Sequence, residues 1–130
     1  MTDSPPIAPA LRWLYNAPEA RWRNGGGLTR ELLAVPAGDA WRWRISVAEV
    51  SADGPFSAYP GVQRWIALIE GAGMELDFDG KVQRRLQNHT PLRFDGARAP
   101  TCRLLAGPTP DLNLMLRGVD GSMPRARAQA

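Results

Sequence analysis

Glycine and proline punctuate this chain too often for long helices: 13 Gly and 12 Pro fall within 130 residues, and each tends to end regular structure or start a turn. Between these breaks the apolar residues recur with a period of two. In 41–50, Trp41, Trp43, Ile45, Val47 and Glu49 share one face, while Arg42, Arg44, Ser46 and Ala48 share the other. Met74, Leu76 and Phe78 alternate with Glu75, Asp77 and Asp79, and Asp79-Gly80 is a hairpin signal. Leu112, Leu114 and Leu116 alternate with Asn113, Met115 and Arg117. Further strands are predicted at 11–15, 28–35, 64–70, 81–86, 91–94 and 101–105. One helical turn is expected after Asn16, which can cap it, with Pro18 in its first turn, Glu19 reaching back to the cap and an end near Trp22. Short strands separated by Gly/Pro turns predict an all-β, antiparallel barrel or sandwich.

The chain is long enough for one core. The expected organisation is an arm of residues 1–10, a β domain over 11–117 and a disordered tail over 118–130 without periodicity. Fifteen Arg and one Lys face 13 acids, for a net charge of +3. These cations are scattered among acids, and only Arg84-Arg85 and the Arg125/Arg127 pair cluster, which argues against a nucleic-acid-binding stripe. The longest apolar run, 65–69, is far short of the ~20 residues of a spanning helix. The start, Met1-Thr2-Asp3-Ser4-Pro5-Pro6, lacks the basic and apolar regions of a signal peptide. With Cys102 as the single cysteine, no intrachain disulfide can form, and a cytoplasmic protein without membrane attachment is expected.

A metal centre on a small β-barrel needs at least two histidines with a carboxylate, or cysteine sulfurs, on facing strands. His89 is the sole histidine and lies in the polar stretch Asn88-His89-Thr90-Pro91. The expectation is therefore no metal and no cofactor, with binding or metal-free chemistry as the activity. A Cys102–His89 nucleophilic pair has no local support; a surface histidine and a buried thiol are the simpler reading.

Two segments carry candidate chemistry. In Trp22-Arg23-Asn24-Gly25-Gly26-Gly27-Leu28-Thr29-Arg30-Glu31, consecutive glycines can expose backbone N–H groups as an anion-accepting nest, with Arg and Asn as directional donors. The same glycines can instead let a strand approach a neighbouring backbone, and the two readings stand side by side. No Gly-Lys-Ser/Thr follows, which excludes a P-loop. In 41–50, Arg44 beside the small Ser46 and Ala48 leaves room for a pocket on that face. Glu49 falls on the apolar face, where it requires a partner such as Arg30 or Arg64, or serves, like Glu31, as the general base of a metal-free isomerase or lyase. Some of the tryptophans Trp13, Trp22, Trp41, Trp43 and Trp65 could instead be exposed for a protein partner.

These two segments, together with Asp53-Gly54-Pro55-Phe56-Ser57, Pro60-Gly61-Val62 and Gly107-Pro108-Thr109-Pro110-Asp111-Leu112-Asn113-Leu114-Met115, resemble the HutD/Ves family over about 11–116. The resemblance implies a cupin-like β-barrel, in a family built from two such barrels, and an association with bacterial histidine utilisation. It implies a metal-free protein that binds a small carboxylate or other anion and regulates that pathway. The ligand-binding residues implied are Asn24, Gly25, Gly26, Thr29, Arg30, Arg44, Ser46, Glu49, Arg64 and Asn113. Where the family continues into its second barrel this chain stops, so a truncated second barrel is expected. A homodimer covering the edges left open is the expected assembly.

Overall fold

The computed structural model describes residues 16–80, 82–86, 88–119, 121 and 123. The sequence-predicted arm and first strand, and most of the tail, lie outside these residues. Among the described residues ten strands follow one another: β1 (Glu19–Arg21), β2 (Gly27–Val35), β3 (Trp43–Val50), β4 (Gly54–Pro55), β5 (Val62–Leu68), β6 (Met74–Phe78), β7 (Val82–Leu86), β8 (Leu92–Asp95), β9 (Thr101–Leu104) and β10 (Thr109–Arg117). They form a six-stranded sheet in the order β1-β2-β3-β10-β5-β8 and a four-stranded sheet in the order β4-β9-β6-β7. Every strand pairing within the described sheets is antiparallel, as the alternating pattern and short turns require.

The core lies between the sheets. Val50, Ile66, Leu68 and Phe94 of the larger sheet pack with Met74, Leu76, Phe78, Leu86 and Cys102 of the smaller one. The β6–β7 hairpin follows the sequence reading closely: Met74, Leu76 and Phe78 are buried, Glu75 and Asp77 are half-buried, and Asp79 and Gly80 take φ of 60° and 69°. Two successive left-handed residues match the twist of a tight hairpin.

Residues 19–21 are extended and not part of a helical turn. Glu19, Ala20 and Arg21 pair with Arg30, Thr29 and Leu28. An isolated helical turn is unstable on its own, whereas the reversal at 22–27, in which Trp22 N–H donates to Gly27 O at 2.9 Å, returns the chain onto β2. The ladder bonds outweigh the capping signal at Asn16.

Strand β10 shows which face of an alternating strand is buried. Thr109, Asp111, Asn113 and Met115 are buried, while Leu112 and Leu114 are only half-buried. On neighbouring β3, Ser46, Ala48 and Val50 are buried and Glu49 is exposed. The cross-strand partners of Asn113 are Ser46 on one side and Ile66 on the other. The centre of the larger sheet thus turns small and polar side chains toward the space between the sheets.

Candidate functional site

That space is a cavity of about 420 Å³, with Trp22, Thr29, Arg44, Ser46, Phe56, Tyr59, Arg64, Asp111, Asn113 and Met115 among its lining residues. A volume of this order is that of a small-molecule site. A register shift between Glu31 and Leu33 on β2 sets one wall: Glu31 stands opposite Ser46, but beyond the shift Ala34 stands opposite Arg44. The bulge puts Glu31 within reach of Arg44, whose Nε donates to Glu31 Oε1 at 2.9 Å. Arg44 is therefore oriented and largely neutralised by its own sheet.

The floor is built around Arg64, which is 5% exposed. Its guanidinium carbon lies 4.9 Å from the Phe94 ring centroid, 5.3 Å from Tyr59 and 5.9 Å from Phe56, an aromatic surround that favours a desolvated cation. Arg64 Nη2 donates to Asn113 Oδ1 at 3.0 Å, and Asn113 Nδ2 donates in turn to Asp111 Oδ1. Arg64 Nε and Nη1 and Asp111 Oδ2 are buried without a hydrogen-bond partner in the protein. Burial pushes the Arg64 guanidinium below its ordinary value, with Tyr59 and Asp111 partly opposing the shift. Burial likewise raises the Asp111 carboxyl to about 7, against the Asn113 hydrogen bond and the Arg64 charge.

Trp22, Arg23 and Asn24, at the start of the glycine segment, form one side of the cavity. Trp22 Nε1 donates to Thr29 Oγ1 at 2.9 Å, and the indole meets Phe56 edge-on, with centroids 5.6 Å apart. Asn24 works on the backbone: its Oδ1 accepts from Gly26 N–H at 2.8 Å, and its Nδ2 donates to Pro55 O at 3.2 Å. It ties the loop to β4 of the smaller sheet. The Gly25 N–H is likewise engaged, donating to Trp22 O at 3.0 Å, so the amides proposed as an anion nest are used within the loop. Gly27 provides a close approach: a Cβ there would lie 2.6 Å from Glu49 O and 3.2 Å from the Trp22 ring. This close approach accords with the structural reading of the glycines.

The structure thus brings Asn24, Thr29, Arg44, Ser46, Arg64 and Asn113 to one cavity and leaves four other sequence candidates outside its wall. Gly25 and Gly26 shape the loop behind it. Arg30 lies on the opposite face of β2 and pairs with Glu19 at 2.5 Å. Glu49 is exposed on the outer face of β3, so it is neither a buried acid requiring an arginine nor a base pointing into the cavity, because the residues flanking it, Ala48 and Val50, take the inner positions. Among the lining residues outside the ligand-binding set are Tyr59 and, from the segments that carry the family resemblance, Trp22, Phe56 and Asp111. Asp111 and Asn113 are two apart on one strand, and that spacing was the available signal for their shared face.

Four arginines, Arg21, Arg23, Arg44 and Arg64, line the cavity among the described residues, against one acid, Asp111. Arg21 and Arg23 are at the rim, both exposed. With Arg44 paired to Glu31, Arg64 and the two rim arginines are what favour an anionic guest. His89 is exposed in its loop at φ 62°, its Nε2 lying 3.0 Å from Ile69 O. Among the described residues no three His, Cys, Asp or Glu side chains come together, so the donors present do not fit the metal centre common in small β-barrels. None of the four described tryptophans is exposed. No helix among the described residues is long and apolar enough to cross a membrane.

Two antiparallel sheets enclosing a ligand-sized cavity define a cupin-type β-barrel. The Cupin_2 domain of an XRE family transcriptional regulator from Enterobacter cloacae superposes on 72% of the chain, and 99% of its own, with a TM-score of 0.59 at 18% identity. The chain belongs to the HutD family, whose model matches residues 15–127. It is 37% identical over 100 residues to an uncharacterised 21.2 kDa protein in the hutC 3′ region of Pseudomonas putida, covering 75% of this chain and 53% of that one. It is 39% identical over 98 residues to protein Ves of Citrobacter koseri, covering 74% and 51%. HutD from Pseudomonas fluorescens, solved in a formate condition, matches with a TM-score of 0.77 and 38% identity over 85% of this chain and 61% of that one. The chain spans about half the length of the curated relatives it matches.

Proposed function

We propose that this chain binds a small carboxylate in the cavity between its sheets and serves histidine breakdown as a ligand-binding, regulatory protein. The observation that carries the reading is Arg64. A guanidinium held in an aromatic surround, with Nε and Nη1 buried and unpartnered, is a costly arrangement unless an acceptor completes it. A carboxylate is a charged acceptor suited to the guanidinium N–H groups that Asn113 leaves over. Arg21 and Arg23 add positive potential at the rim of the same cavity, whereas Arg44 is already paired with Glu31. The link to histidine utilisation rests on the HutD family match and on the position of the Pseudomonas putida relative in the hutC 3′ region.

A melting-temperature screen against formate, glutamate, formylglutamate, urocanate and histidine tests this. A ligand present at about 100 times its Kd stabilises the native state by ~2.7 kcal/mol, which appears as a rise of several degrees. The rise should vanish in Arg64→Gln and shrink in Arg44→Ala. A folded sample whose melting temperature responds to no carboxylate in the panel would overturn the proposal.

A further inference from the structure

Arg64 is only one half of what is buried and unpaired in the wall of the cavity. Asp111, 1% exposed and lining the same cavity, also holds an oxygen, Oδ2, without a partner. The two residues are joined through the Asn113 amide, whose oxygen accepts from Arg64 and whose nitrogen donates to Asp111. This fixes the amide orientation and makes the assembly polar from end to end: donors are left over at Arg64 and an acceptor at Asp111. A plain monocarboxylate would satisfy the first end and place its charge near an acid at the second. Buried polar groups in folded proteins nearly always have partners, so the leftover acceptor asks for a donor.

Resting on the carboxylate reading above, we infer that the cavity reads two ends of its ligand, a carboxylate at Arg64 and an N–H or O–H donor at Asp111 Oδ2. The ligand class is therefore small amino, hydroxy or amide-bearing carboxylates. Protonation offers a second signature. The charge acting on Asp111 is Arg64 on β5, which in turn feels Arg44 on β3 with its partner Glu31 on β2; the Cys102 thiol on β9, which feels Asp111 and Asp53, is pushed up to about 12 by burial and stays neutral. A neutral Asp111 tolerates a plain carboxylate, and an ionised one discriminates against it.

The test is calorimetric titration of the 130-residue chain with three probes of matched skeleton: propanoate, 3-hydroxypropanoate and 3-aminopropanoate. At about pH 8.5 the two donor-bearing probes should bind about tenfold tighter than propanoate, the ratio expected of one hydrogen bond to a charged group. In Asp111→Asn that ratio should collapse toward one. In the unaltered protein it should also narrow at about pH 5.5, where Asp111 is protonated, and this arm decides the matter if the variant does not fold. Equal affinities for all three probes at both pH values would overturn the two-ended reading and leave carboxylate binding standing. No binding of any probe, with the panel above also silent, would overturn both.

Discussion

Asp111 carries an ionisable group into a site that disfavours its charge, and the cost should be visible in stability. Burial raises its carboxyl from the ordinary 3.8 to about 7 in the folded protein. Between those values the native state binds a proton that the unfolded chain has released, so stability falls as pH rises. The stabilising contribution is fully present below about pH 4 and is gone above about pH 7, a change on the order of a few kcal/mol. Urea unfolding between about pH 5 and pH 8 should show the decline, and Asp111→Asn should flatten that part of the profile. An unchanged slope in the variant would remove Asp111 as its source. Periodicity alone made this residue hard to identify. A period of two tells which residues share a face, not which face is inside, and the Leu112/Leu114 face is the more apolar one. The inversion depends on Arg64, 49 positions from Asn113 in the chain, whose guanidinium supplies the partner that the polar face of β10 requires.

At the scale of elements, the strands were legible because each pairs a simple alternation with a Gly or Pro boundary, as at β6 and its Asp79-Gly80 turn. β1 was not: three residues with a capping pattern carry too little local preference to compete with a ladder that only the folded hairpin provides. The glycine segment distinguishes space from backbone conformation. Gly25 has φ 76° and open space where a Cβ would sit, whereas Gly27 would drive a Cβ into Glu49 O and the Trp22 ring. Gly27→Ala should therefore cost about 1–3 kcal/mol, as overpacking does, and should weaken ligand response because Trp22 is a cavity wall. Gly25→Asn, which tolerates a left-handed backbone, should change both far less. Denaturant midpoints for the pair check this, and equal losses would contradict a close-approach role for Gly27.

Across the whole molecule, the larger sheet supplies the floor of the cavity, and the smaller sheet, through β4 and the Pro55–Tyr59 connection, supplies its far wall. Asn24 bonds the two together at one side of it. Periodicity could anticipate that a pocket would form beside Arg44, Ser46 and Ala48, since a strand face of small residues leaves volume. It could not anticipate that Arg44 would be occupied by Glu31 while Arg64 kept free donors, because that choice is made by the β2 bulge and by contacts between distant strands. Carboxylate binding, as proposed, therefore depends on Arg64. The most direct measurement is an NMR titration of the arginine Nε–H signals with formate, with the Arg64 resonance identified by its loss in Arg64→Lys. The Arg64 signal should shift and saturate over the concentrations that raise the melting temperature. A static Arg64 signal while the melting temperature rises, or shifts confined to Arg21 and Arg23 at the rim, would contradict the account.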